Sequence, residues 1–214
     1  KMTDDGSHTL SLPNSSECYH SKHGAIQESN HVFINAGLKF VSNRSLNKIN
    51  ILEIGFGTGL NAFLSLLESQ LTHPIHYTSI EPFPIEKSIW SRLNYEQQLT
   101  VKKGLFSKLH TSPWEKDVEI TPLFTLLKTK KILEQSKFDR LFDLVYFDAF
   151  SPDTAPDLWK PEFFTVLKNK LHSDSVLVTY CSKGIVKQAL KSAGFYVKRL
   201  PGPPGKWHML RASL

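Results

Sequence analysis

Two acidic residues, one inside an apolar run and one closing the next, carry the strongest chemical signal in this 214-residue chain. Glu53 lies in Asn50-Ile51-Leu52-Glu53-Ile54-Gly55-Phe56-Gly57-Thr58-Gly59-Leu60-Asn61, an apolar strand that runs into three alternate glycines. Glu81 ends a second apolar run and is followed by Pro82 and Phe83. Glycines let backbone turn tightly and approach a ligand at the N-terminus of the next helix, and an acid closing the second strand can accept hydrogen bonds from both hydroxyls of a ribose. The pattern asks for a ribose-bearing ligand. A dinucleotide fingerprint would need glycine three residues after Gly57, where this chain has Leu60, so no pyrophosphate cradle is spelled. A third acid, Asp148, opens Asp148-Ala149-Phe150-Ser151-Pro152 after a buried-looking run, Asp143 to Phe147, and so sits where open α/β sheets place their ligands. The same residue could instead cap the loop or helix that follows it.

The elements that position these acids follow from periodicity. Short apolar runs alternating with helix-length amphipathic segments indicate parallel strands joined by crossover helices. Strands are expected at 49–54, 76–80, 143–147 and 175–180, with two more around a turn within 118–127. Helices are expected at 60–71, from about Pro84 through Leu93, at 161–171 and at 183–193. Two closing strands, 195–200 and 207–212, flank Pro201-Gly202-Pro203-Pro204-Gly205, a link too short for a crossover helix, so they should pair antiparallel. The expected fold is α/β and Rossmann-like: a mostly parallel seven-stranded sheet with a terminal antiparallel hairpin. Residues 1–48 read as an N-terminal extension or lid carrying the polar and aromatic patch Glu17 to Ser29 and a short helix with Val32, Phe33 and Leu38. Residues 49–214 form the main domain.

Glu53-x-Gly55-x-Gly57-x-Gly59 resembles the first motif of the class I S-adenosyl-L-methionine methyltransferases, and Glu81 resembles their ribose-binding acid. Further along, Phe147-Asp148-Ala149-Phe150-Ser151-Pro152, Pro156-Asp157-Leu158-Trp159, Thr179-Tyr180-Cys181-Ser182, Ala193-Gly194-Phe195 and Gly205-Lys206-x-x-Met209-Leu210 resemble the methyltransferase domain of the MnmC family, which modifies the wobble uridine of tRNA. The likeness extends to Asp5-Gly6-Ser7-x-Thr9-Leu10, Tyr19-His20-Ser21, Glu28-Ser29-x-x-Val32-Phe33 and Glu81-x-Phe83-Pro84, and so covers nearly the whole chain.

The resemblance implies conversion of 5-aminomethyl-2-thiouridine to 5-methylaminomethyl-2-thiouridine, with S-adenosyl-L-methionine as methyl donor. The cofactor would meet Glu53, Gly55, Gly57, Gly59, Asn61, Glu81, Pro82 and Phe83. Asp148 would be catalytic, because methyl transfer to an amine needs an unprotonated nitrogen and a carboxylate beside it can take up the proton. Tyr19, His20, Glu28, Phe150, Ser151, Pro152, Trp159, Tyr180, Lys183, Lys206 and His208 are the expected substrate contacts, the tRNA anticodon loop draping over a rim that also includes Lys187 and Arg211. Many members carry a C-terminal FAD-dependent oxidase. This chain stops at Leu214, after the hairpin, so only the methylation is expected of it, and a separate oxidase partner is left open.

Two departures from the family matter. Lys128-Thr129-Lys130-Lys131 stands where an acid suited to adenine is common, so adenine contacts must come from backbone or elsewhere. Trp207 and His208 follow Lys206 where further basic residues are usual; Trp207 could stack on an RNA base or pack in the last strand. Competing readings are a polyamine aminopropyltransferase, a methyltransferase for another amine, and a non-catalytic cofactor-binding RNA module, against which the presence of both Glu81 and Asp148 argues.

The bulk numbers agree with a one-domain enzyme acting on a polyanion. Lys and Arg total 26 against 20 Asp and Glu, a net charge of +6, and seven of those cations crowd the last thirty-two residues. On a helix, Lys183, Lys187 and Lys191 would form an ordinary solvated face. Two cysteines suggest no disulfide framework, the four N-terminal histidines give no clustered metal-ligand set, and no apolar run is long enough to cross a bilayer. A cytoplasmic protein without a metal is expected.

Overall fold

The structure, a computed structural model, describes residues 1–12, 17–71 and 73–214. Its centre is an eight-stranded sheet in the order β3-β4-β2-β1-β5-β6-β8-β7. The strands are β1 (Ile49–Ile54), β2 (Ile75–Ile80), β3 (Val118–Thr121), β4 (Phe124–Thr129), β5 (Phe142–Phe147), β6 (Leu171–Thr179), β7 (Tyr196–Pro201) and β8 (His208–Ser213). β4, β2, β1, β5 and β6 run parallel, and all six side chains of β2 and of β5 are buried, as strands covered on both faces require. β7 and β8 pair antiparallel as the short link dictates, with β8 against β6. The two strands expected around a turn within 118–127 are β3, antiparallel at the edge, and β4; with both in the sheet it has eight strands, one more than the seven-stranded sheet expected.

Helices cover both faces. On one side lies an N-terminal helix made of α1 (Ala25–Ser29), a π-helical stretch (Asn30–Leu38) and α2 (Lys39–Ser42), with α3 (Leu60–Ser69) and α6 (Leu105–Thr111) beside it. Val32, Phe33, Ile34, Leu38 and Val41 share one core with α3 and the inner side chains of β1, β2 and β5. Gly37 lets this helix lie close to the sheet: a Cβ there would stand 3.0 Å from Val178 and 3.3 Å from Tyr146. α7 (Pro161–Lys168), opening on a proline suited to the first helical position, and α8 (Gly184–Ser192) cover the other face through Phe163, Phe164, Leu167, Val186 and Leu190.

The helix expected from Pro84 is a single turn, α4 (Lys87–Trp90). α5 (Tyr95–Gln98) and α6 were not foreseen. The chain order β1, β2, β4 on one side and β5, β6 on the other puts the topological switch at β1 and β5, whose carboxyl ends deliver Gly55 and Asp148. Among the described residues no helix is long and apolar enough to cross a membrane.

Candidate active site

A cavity of about 750 Å³ opens at the carboxyl ends of β1, β2, β5 and β6. Gly55 follows β1 with a φ of 95°, and a Cβ there would lie 2.9 Å from the carbonyl oxygen of Asp148, so only glycine lets the two strand ends close up. Gly57, at φ 48°, would set a Cβ 3.2 Å from the Tyr19 ring. The loop is thus bare backbone pressed between Asp148 and the N-terminal segment.

Glu81 at the end of β2 holds that loop. One carboxylate oxygen accepts the Gly57 N–H at 2.9 Å and the other accepts the Phe83 N–H at 2.9 Å. Each oxygen keeps a further acceptor position, and the residue lines the cavity, which is the donor-acceptor chemistry a ribose diol needs. Asn61, Pro82 and Phe83 share this wall, as do Ile132, Leu133 and Glu134 just beyond β4. Glu134 answers the missing acid: an acid is present, carried by a 3-10 turn (Leu133–Gln135) after the exposed Lys130 and Lys131. Sequence periodicity could not reveal a three-residue turn, but an acid five residues past the end of β4 was a visible signal.

Asp148 faces the same space from β5. Its Oδ2 accepts a hydrogen bond from Asn61 Nδ2 at 2.8 Å. Burial, followed by the nearby charge of Glu28, pushes its pKa well above the usual carboxylate range, while the Asn61 bond and Lys206 pull it back. Lys206 reaches in from the loop between β7 and β8, 2.6 Å from Glu28 Oε1 and 4.2 Å from the centre of the Tyr180 ring. Glu28 also accepts the Ser21 N–H at 2.6 Å, and the Tyr180 hydroxyl donates to the Ala149 carbonyl at 2.9 Å. A single cation therefore joins the N-terminal helix to the last hairpin beside the acid.

The N-terminal segment forms the remaining wall. Tyr19 meets Phe150 edge-on at 5.0 Å, and Glu17 accepts the Ser151 N–H at 2.8 Å and the Thr154 hydroxyl. His20 is buried against Thr58, 3.3 Å from its hydroxyl, and burial lowers its pKa to about 4. It is a neutral wall residue, not a cation for RNA.

Of the expected cofactor residues, Gly55, Gly57, Asn61, Glu81, Pro82 and Phe83 line the cavity; Gly59 caps α3 beneath it, and Glu53 is fully buried below the strand end. Of the expected substrate residues, Tyr19, His20, Glu28, Phe150, Tyr180 and Lys206 line it. Ser151 stands behind the wall on Glu17, Pro152 is buried, and Trp159 is buried with its indole N–H donating to the Phe150 carbonyl at 2.8 Å. Lys183 lies outside, exposed and paired with Asp153, and His208 is exposed on β8. Arg211 does not reach the rim: it lies 3.6 Å over the Phe40 ring and donates to the Ala36 carbonyl on the N-terminal helix. Trp207 does not pack in the last strand, being 92% exposed. No cluster of metal-ligating side chains occurs among the described residues.

A glycine loop at the switch point, an acid with free acceptor positions after the neighbouring strand and a raised acid opposite suit a nucleoside cofactor, and residues 95–214 match the model of a family described as S-adenosyl-L-methionine-dependent methyltransferase. The chain belongs to this family, and S-adenosyl-L-methionine is its cofactor. It is 29% identical over 217 residues to the tRNA 5-methylaminomethyl-2-thiouridine biosynthesis bifunctional protein MnmC of Pseudomonas fluorescens, covering 92% of this chain and 32% of that protein. The protein of the same name from Delftia acidovorans is 28% identical, with 94% and 33% covered. This chain therefore spans about a third of the length of these curated relatives. Among solved structures, MNMC2 from Aquifex aeolicus superposes with a TM-score of 0.77 at 27% identity, over 100% of this chain and 69% of that one. Spermidine synthase from Thermotoga maritima, at TM-score 0.55 and 13% identity over 90% of this chain and 60% of its own, shares the fold alone.

Proposed function

We propose that the chain methylates the amine nitrogen of 5-aminomethyl-2-thiouridine at the wobble position of tRNA, giving 5-methylaminomethyl-2-thiouridine. The names of the relatives that cover nine-tenths of the chain support this substrate. The observation that carries the chemistry is Asp148, a carboxylate of raised basicity held by Asn61 on the cavity wall within reach of the glycine loop.

S-adenosyl-L-methionine supplies a methyl group on a sulfonium centre. The wall fits it: Gly55 and Gly57 leave backbone open beside Tyr19, Glu81 offers two acceptors for the ribose, and Ile132, Leu133 and Glu134 form an apolar slot with one acid for adenine. Asp148 orients the substrate nitrogen and takes its proton, directly or through water, so that the lone pair faces the methyl group. Its raised pKa makes it a better acceptor for an ammonium proton, and the arriving positive charges favour its ionised form. Tyr180, Phe150 and Tyr19 supply aromatic walls for a splayed base, and Lys206 and Glu28 set the charge beside the amine. Glu17 and Tyr19, ahead of the first helix, act as the lid over the loop after β5, while the helix from Ala25 to Ser42, packed in the core, belongs with residues 49–214 to the catalytic body rather than to the lid expected over residues 1–48. Exposed Trp207 and Lys183 lie on the substrate side, where the anticodon loop docks.

Mass spectrometry of nucleosides from tRNA bearing 5-aminomethyl-2-thiouridine, incubated with the chain and S-adenosyl-L-methionine, tests the reading. A gain of one methyl group on the aminomethyl nitrogen is expected; tRNA left unmodified, or methylated at another nucleoside, would overturn it.

A further inference from the structure

Lys128, the cation that stands on β4 where an acid suited to adenine is common, is fully buried and does not line the cavity. Its partners are carbonyls and rings. Nζ donates to the Leu109 and His110 carbonyls of α6 at 2.7 and 2.8 Å, and it lies 4.7 Å from the centre of the Trp114 ring and 5.4 Å from that of Phe56. Carbonyls in the last turn of a helix have no N–H partner within it, so a cation held there fixes where the helix ends. Burial lowers the Lys128 pKa to about 8, which leaves it charged at pH 7.

That helix end carries His110. Trp90 stacks on its ring at 4.6 Å, Phe56 and Phe106 meet it edge-on at 5.2 and 4.7 Å, and its Nε2 lies 3.0 Å from the Thr58 carbonyl oxygen. A carbonyl only accepts, so Nε2 carries the hydrogen. Thr58 is buried in the glycine loop, and its carbonyl precedes Gly59, the N-cap of α3, to which the first helical bond, from the Phe63 N–H, already goes. The helix therefore has no N–H for Thr58, and among the described residues His110 is the donor that satisfies it. The approach is close: a Cβ on Gly59 would stand 2.8 Å from His110 Nε2.

We propose that His110, anchored by Lys128, is a positioning residue for cofactor binding: it holds the Thr58 carbonyl and so fixes the turn of backbone from Gly57 to Gly59 that the cofactor meets. The inference rests on the reading of the glycine loop as the cofactor wall and not on the tRNA substrate. Three aromatic rings hold the plane of the imidazole, and burial lowers its pKa to about 4, in keeping with a neutral ring that gives its one N–H to Thr58. The Thr58 hydroxyl meets a second buried imidazole, that of His20, at 3.3 Å. The carbonyl and the hydroxyl of this loop residue are thus each engaged by a histidine, one from α6 and one from the N-terminal segment.

His110→Phe keeps a ring against Trp90, Phe56 and Phe106 and removes the donor, whereas His110→Gln gives up the ring and keeps an N–H at nearly the same reach. Calorimetry should show affinity for S-adenosyl-L-methionine weakened roughly 5- to 30-fold in His110→Phe and brought back to within about threefold of the parent in His110→Gln. A role in packing alone gives the reverse order, because Phe fills the space and Gln does not; that order, or parental affinity in His110→Phe, would overturn the proposal. Lys128→Met should weaken affinity by about threefold and add little to His110→Phe in the double variant, since it acts through the helix end that carries the ring. Losses that add in full would overturn the anchoring. Glu81→Ala sets the reference: parental affinity in both Glu81→Ala and His110→Phe would take down the loop as cofactor wall together with the proposal, whereas weak binding in Glu81→Ala beside parental binding in His110→Phe would overturn the proposal alone. Nitrogen-15 NMR of the histidine side chains in the cofactor-free parent decides without any variant. His110 should be the Nε2–H tautomer at pH 7, and an Nδ1–H tautomer would refute the proposal even if the variants fail to fold.

Discussion

The wall proposed for the cofactor is assembled mainly from Gly55 to Phe83, with Ile132 to Glu134 added from beyond β4, whereas the wall proposed for the substrate joins Glu28 and Lys206 across 178 positions. The first is mostly backbone, with glycine at positive φ and one acid tying two N–H groups. The second is mostly side chain, with Asp148, Glu28, Lys206 and Tyr180 converging from four separate elements. A wall of backbone positions a ligand through shape that survives most side-chain changes. A wall of converging charges sets protonation, and each member is exposed to the loss of any other.

The largest effect should come from Asp148→Asn. Loss of a positioned proton acceptor is worth roughly 10²- to 10⁴-fold, so single-turnover methyl transfer at saturating cofactor should slow by that range. Glu81→Ala comes next, on the other wall. With water replacing part of what is lost, the net cost is that of about one charge-assisted hydrogen bond, on the order of 1.5 to 3 kcal/mol, and calorimetry should show cofactor affinity weakened roughly 10- to 150-fold.

A smaller effect concerns stability and follows from the raised pKa of Glu53. A carboxyl whose folded-state pKa lies above its ordinary 4.5 stabilises the fold fully below that value and loses the contribution as pH rises toward the folded pKa. Gln carries no such proton. Relative to the parent, Glu53→Gln should therefore gain stability between about pH 4.5 and 7, by no more than about 1.4 kcal/mol per pH unit, in denaturant melts. A difference that stays constant with pH would place an ionised Glu53 in the fold. The smallest effect is that of Lys183→Glu, since an exposed ion pair with Asp153 is worth about 0 to 1 kcal/mol and the residue stands outside the cavity. The apparent KM for tRNA should rise by no more than about fivefold at moderate salt, with cofactor affinity unaltered.

The same contrast decides what could be read from the sequence. The part of the proposed cofactor wall between Gly55 and Phe83 was legible because its residues lie close in the chain and the glycine is dictated by backbone geometry: Gly55 must be glycine to lie against Asp148, and Glu81 follows the strand next to it; Glu134, on a three-residue turn far along the chain, was not. The hairpin of β7 and β8 was legible from the length of its link. On the substrate wall the individual residues Glu28, Tyr180 and Lys206 were marked through family resemblance, but their joining by an ion pair was not, since no local pattern records a partner that far away. Arg211 went wrong for a related reason. Charge alone suggested an RNA rim, while strand register turned the guanidinium onto Phe40. The reading of Glu53 as a cofactor residue counted its place in the motif, and the sheet buries it below the loop it introduces.

The division of labour between the two walls is tested most directly by measuring cofactor affinity and single-turnover methyl transfer to tRNA in both Glu81→Ala and Asp148→Asn. The account predicts opposite losses: Glu81→Ala binds S-adenosyl-L-methionine weakly yet transfers at close to the parental rate once saturated, and Asp148→Asn binds it normally yet transfers slowly. Two variants that fail in the same parameter, or an Asp148→Asn protein within about twofold of the parental rate, would contradict it.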